Sequence, residues 1–65
     1  MIKNFPKYLT EREVSEYTRI GMKTLQQHRW KNTGIPYHKF GGTVRYSEED
    51  VLQYMKNCRV ETEIA

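Results

Sequence analysis

No aspartate or glutamate occurs between Tyr17 and Ser47, although the 65-residue chain holds eight of them. Arg19, Lys23, Arg29, Lys31, Lys39 and Arg45 lie inside that gap, so the stretch carries +6, while the residues before it sum to zero and those after it to −3. The formal total of +3 therefore belongs to a polarised chain. Cations gathered on one face attract a polyanion and hold counter-ions that binding releases. The pattern points towards nucleic acid, and taken alone it fits a solvated basic surface equally well.

Other absences narrow the class. A single cysteine excludes an internal disulfide and suits a reducing compartment. No apolar run approaches the roughly 18 residues of a membrane span, and Met1 to Tyr8 lacks the hydrophobic block of a signal peptide, so a cytoplasmic location is expected. There is no Ser-His-Asp or Cys-His constellation and no Gly-x-x-x-x-Gly-Lys phosphate loop. His28, His38 and Cys58 are three scattered candidates where a zinc site takes about four ligands. An enzyme, a metal, a cofactor and a small-molecule substrate are all unexpected. The length supports one domain, which buries only about 60% of the surface its unfolded chain exposes. With 37% apolar and 29% charged residues, the composition is that of a folded domain.

What is present reads as three helices and a hairpin. Met1 to Lys7 is aperiodic and contains Pro6, giving an extended, frayed arm. Thr10 and Glu13 form a capping box that starts the first helix, whose inward stripe is Val14 and Tyr17. The short break at Thr18 to Gly21 before a second helix, about Met22 to Lys31, matches a helix-turn-helix unit, with Ile20 buried between the helices. Leu25 anchors the second helix, which turns Lys23, Gln26, Gln27 and Trp30 away from the core, with Thr24 and Lys31 at one margin and Met22 and Arg29 at the other. Glutamine bonds adenine bidentately, Arg or Lys bonds guanine, and a Thr methyl meets thymine, so this face suits base reading. His28 is expected to be half-buried packing. Trp30 is expected to lie over the following strands, since a large aromatic is rarely left bare.

Gly34 and Pro36 end the helix. Tyr37 to Phe40 and Val44 to Tyr46 flank Gly41-Gly42 as a hairpin. A two-residue loop sets Phe40 against Thr43. A three-residue loop ending at Thr43 pairs Phe40 with Val44 and His38 with Tyr46, and it is favoured because it gathers the rings on one face and leaves Lys39, Thr43 and Arg45 on the other. Ser47 and Asp50 cap a third helix with an inward stripe of Val51, Leu52, Tyr54 and Met55, and Asn57 to Ala65 is expected to fray.

The run YLTEREVSEYTRIGMKTLQQHRW followed by GIPYHKFGGTVRYSEEDVLQYM resembles the small excisionase and AlpA-like proteins, whose winged helix-turn-helix is related to the MerR DNA-binding domain. Its most specific parts are Leu9 with Glu13-Val14, Thr24-Leu25, Pro36, Lys39 with Gly41, and Val44-Arg45-Tyr46 leading into Asp50 and Val51. Gly21 stands where the family usually has a Ser cap, and His28 and Tyr54 where it often has Trp. The resemblance implies a mostly α fold of three helices plus a two-stranded wing, over one domain, residues 1–65, with an ordered core of about 8–56. It implies DNA contacts from Lys23, Thr24, Gln26, Gln27 and Arg29 on the helix, with Lys31 beside them, and from Lys39, Gly41, Gly42, Thr43 and Arg45 on the wing. The expected activity is sequence-specific binding of double-stranded DNA, as a recombination directionality factor or a small transcriptional regulator. An integrase or recombinase, or further copies of the chain on DNA, are the expected partners. About five neutralised phosphates give a slope of log K against log salt near −4.5. The alternative is a protein-interaction module that recruits a recombinase, polymerase or packaging enzyme through Trp30, Tyr37 and Phe40.

Overall fold

The computed structural model describes residues 7–62. They form β1 (Tyr8–Leu9), α1 (Glu11–Thr18), α2 (Met22–Trp30), β2 (His38–Phe40), β3 (Thr43–Ser47) and α3 (Glu48–Asn57). Three helices with a small antiparallel hairpin make this a winged helix-turn-helix. The arm expected before Lys7 lies outside the described residues.

Local chemistry sets each helix start. The Thr10 hydroxyl accepts from the Glu13 backbone N–H at 3.1 Å, and the Glu13 carboxylate accepts from the Thr10 N–H at 2.9 Å, a complete capping box. That reciprocal bond holds the Glu13 carboxyl below its ordinary value, helped by the charges of Lys7 and Arg45. A carboxyl lowered on folding stabilises the fold above its unfolded value, and the contribution disappears as pH falls through the folded value. The gap in Tm between the wild type and Glu13→Ala is therefore expected to narrow below about pH 4.3. Thermal melts down to about pH 3 check this, and a constant gap contradicts it. At α3 only half a box forms: the Ser47 hydroxyl accepts from Asp50 N–H at 3.0 Å.

Arg19 ends α1 in the left-handed region at φ 65°, its N–H donating to Ser15 O at 2.8 Å. The Thr18 hydroxyl donates back to Val14 O at 2.8 Å and accepts from Ile20 N–H at 3.2 Å, fixing the turn that leads into α2. Ile20 is half-buried against the core, as its isolation in a polar turn implies.

The core is small: Leu9, Val14, Leu25, Ile35, Tyr46 and Val51, with Ile20, Val44 and Tyr54 packed against it. One residue of each helix is fully enclosed, and this corrects two of the expected stripes. Tyr17 is exposed on α1, and Leu52 and Met55 are exposed on α3. Leu52 lies about 100° round the helix from Val51, and a core this narrow covers only the sector around Val51 and Tyr54.

The sheet departs from the sequence reading in two ways. It has three strands in the order β1-β3-β2, because Tyr8 and Leu9 pair with Ser47 and Tyr46. Two residues are too few for a readable period, and Leu9 is carried into the sheet by its burial beside Tyr46. The hairpin register is also the one not favoured: Phe40 pairs with Thr43, Lys39 with Val44 and His38 with Arg45, across a two-residue Gly41-Gly42 loop. A three-residue loop needs its last residue left-handed, which would fall on β-branched Thr43. The two-residue loop instead puts the positive φ, 63°, on Gly41.

Candidate nucleic-acid interface

The phase of α2 follows from Leu25, which is fully buried. Opposite it, Lys23, Gln26, Gln27 and Trp30 line one shallow surface depression. This is the face expected from the helical period, with one exception. Trp30 does not cover the strands; it stands 88% exposed on the same face as the glutamines. None of the described residues folds back over it, because after Lys31 the chain turns away through Asn32 and Gly34, both with positive φ. His28 is half-buried and lies against Gly34, as expected of a packing residue.

Gly21 caps α2 without a side-chain hydrogen bond, and no acid lies in the first turn. The free N–H groups at that end therefore suit an anion. Thr24 and Lys31 are exposed at the margins of the face.

Arg29 is corrected. It is not an open cation: its Nη2 donates to Glu11 Oε2 at 2.6 Å, its Nε donates to Tyr46 OH at 3.1 Å, and its guanidinium lies 5.7 Å from the Tyr37 ring centroid. The side chain is only 23% exposed. The hydrogen bond to Glu11 raises the Arg29 pKa further, and burial raises that of Tyr46, so the pair persists as cation and neutral phenol. Arg29 is a strut joining α1, α2 and β3. Glu11 also accepts from Gln26 Nε2 at 2.9 Å, which orients the Gln26 amide at the edge of the reading face. The sequence places no acid in this stretch, yet the fold brings one in from α1.

Removing the strut is expected to cost about 1–2 kcal/mol, the range for a partly screened hydrogen bond to a charged group. Both Glu11→Ala and Arg29→Ala should melt roughly 5–15 °C lower than wild type. If Arg29 served phosphate alone, Arg29→Ala would bind duplex more weakly and melt normally.

The hairpin is corrected too. Adjacent strand residues point to opposite faces, and Tyr46 points towards α2. Lys39, paired with Val44, shares the Tyr46 face, whereas Thr43 and Arg45 share the other. Lys39 is exposed; Arg45 is half-buried, with Nη1 donating to Val44 O at 2.7 Å and its charge felt by Glu13. The expected grouping of Lys39, Thr43 and Arg45 on one side does not form. Gly41 and Gly42 are open at the tip, with no atom within 4 Å of where a Cβ would stand.

On the outer face Tyr8, His38 and Phe40 cluster, Tyr8 meeting both other rings edge-on at 5.2 and 5.5 Å. His38 Nε2 lies 3.8 Å from Asp50 Oδ2. Tyr37 turns inward, 6.3 Å from Tyr46, so Trp30, Tyr37 and Phe40 do not make one patch. Among the described residues no group of three or more His, Cys, Asp and Glu is placed to hold a metal ion, and no helix is long and apolar enough to cross a membrane.

The model of a family described as "Helix-turn-helix domain" matches residues 8–59. No curated protein and no solved structure matches the chain.

Proposed function

The chain belongs to the helix-turn-helix domain family of small DNA-binding proteins, and from that premise we propose that it reads double-stranded DNA by sequence, with α2 in the major groove and the hairpin tip on the backbone or minor groove. The observation that carries this reading is the joint presentation of Lys23, Gln26 and Gln27 on the side of α2 opposite buried Leu25. In this arrangement Gln26 and Gln27 address base edges, with Gln26 held by Glu11 and Gln27 free. Thr24 offers its methyl group, and Lys23 and Lys31 meet phosphate on either side. From the hairpin, Lys39 and the open Gly41-Gly42 backbone follow the sugar-phosphate chain, whereas Thr43 lies on the face of Arg45 and is given no contact. Arg29 and Arg45 are not assigned contacts.

A module of this size buries about 600–1,000 Å² and reads only a few base pairs, so useful specificity comes from several copies on repeated sites or from a partner such as a recombinase. That is the working mode of a recombination directionality factor or a small transcriptional regulator; finding an integrase gene beside this one would favour the first. A second reading, a module that recruits another protein, is supported by the exposed Tyr8, His38 and Phe40 cluster.

Three variants test the duplex reading against duplexes selected from a random pool. Gln27→Ala should lose about tenfold on the selected sequence and little on a shuffled one. Lys39→Ala should weaken both by a similar factor. Arg45→Ala should bind nearly as wild type, because its side chain faces away from α2. Loss on Arg45→Ala alone would overturn the assignment.

A further inference from the structure

Trp30 ends the reading face without any partner among the described residues. At 88% exposed it is far more open than the other exposed aromatics, Tyr8, Tyr17, Tyr37 and Phe40, which are 37–57% exposed. An indole buries more apolar surface than any other side chain when it is covered. Here it contributes almost none of that to the protein's own stability. It shares its depression with Lys23, Gln26 and Gln27, so whatever covers those three also covers Trp30.

We infer that Trp30 is a duplex contact: its ring face packs on deoxyribose or a thymine methyl, and its Nε1–H donates to phosphate. The inference rests on the duplex reading above. Two observations select a nucleic acid over a protein as the occupant. Lys23 flanks the indole on the same face and Lys31 follows it in the chain, giving the charge complement of a polyanion. Lys23 and Trp30 are also seven residues apart, about 10 Å along the helix, close to the roughly 12 Å width of the major groove. With the glutamines at the groove floor, the lysine reaches one wall and the indole the other. The lysine's contribution is ionic and falls with salt. The indole's is largely apolar and does not.

This difference gives the test. The chain contains one tryptophan, so its emission reports this position alone. Duplex affinity is measured by anisotropy of a labelled duplex across a salt series, with acrylamide quenching of the indole in the free and saturated protein. Trp30→Ala is expected to bind about tenfold more weakly with an unchanged salt slope and an unchanged Tm, whereas Lys23→Ala should make the slope shallower by about 0.9. In the wild type, acrylamide quenching should fall at least twofold on saturation. Wild-type affinity in Trp30→Ala, with the indole as open to acrylamide in the complex as in the free protein, overturns the inference and leaves the duplex reading standing. A lowered Tm in Trp30→Ala makes it a folding residue and overturns the inference as well. Protection of the indole by a protein partner but by no duplex overturns it in favour of protein docking. Failure of the unaltered protein to bind any duplex overturns both readings.

Discussion

Gly34→Ala is expected to lower the melting temperature by more than about 10 °C, a larger stability effect than that of any other single change considered. Gly34 sits at φ 81°, where a side chain costs about 1–2 kcal/mol. A Cβ there would stand 2.6 Å from His28 Nδ1 and 2.7 Å from His28 Cβ. The second of these atoms is fixed to the α2 backbone, so the clash is not relieved by rotating the ring, and overpacking of this kind adds about 1–3 kcal/mol. His28 Nδ1 is already buried with no hydrogen-bond partner among the described residues, and the His28 main-chain O accepts from Thr33 N–H at 2.8 Å, so the loop and the end of α2 form one packed corner. In a domain of this size each kcal/mol moves Tm by about 4–8 °C. Gly42→Ala is the matched control: its Cβ meets nothing within 4 Å and its φ is not positive, so its melt should stay close to wild type. Circular-dichroism melts of the two variants decide the matter, and equal Tm values would show that the corner is not built as described.

The salt dependence of duplex binding carries the second large effect. Counting all five cations of the expected interface, Lys23, Arg29, Lys31, Lys39 and Arg45, overstates the charge available to phosphate. Arg29 is spent on Glu11, and Arg45 lies on the face turned away from α2, near Glu13. Lys23, Lys31 and Lys39 remain on the proposed face. Three neutralised phosphates give a slope of log K against log salt of about −2.7, so affinity should fall about 40-fold between 50 and 200 mM salt. A slope near −4.5 would return Arg29 and Arg45 to the interface. A flat response would remove phosphate from it.

These two cases show what could be read in the chain beforehand. Short-range chemistry was legible: the Thr10 and Glu13 box, the Ser47 cap, the break before Met22 and the outward phase of Gln26 and Gln27 all depend on residues within a turn of each other. The hairpin register is set by the backbone, since the left-handed conformation that Thr43 would have to adopt outweighs the gathering of Phe40 with Val44. Exposure of Trp30 follows from the helical wheel, against the general rule that large aromatics are covered. The Glu11 and Arg29 strut was not legible, since its ends lie eighteen positions apart and only the packing of α1 on α2 brings them together. Strand β1 is not legible for the related reason that two residues carry no period.

The central claim is that the glutamines of α2 read bases, and equilibrium binding of the wild type and a Gln26→Ala/Gln27→Ala variant to a pool-selected duplex and its shuffled counterpart tests it most directly. The account predicts that the wild type prefers the selected duplex at least tenfold, and that the variant loses this preference while holding the shuffled duplex almost as well. A preference that survives in the variant, or a wild type with none, would contradict it.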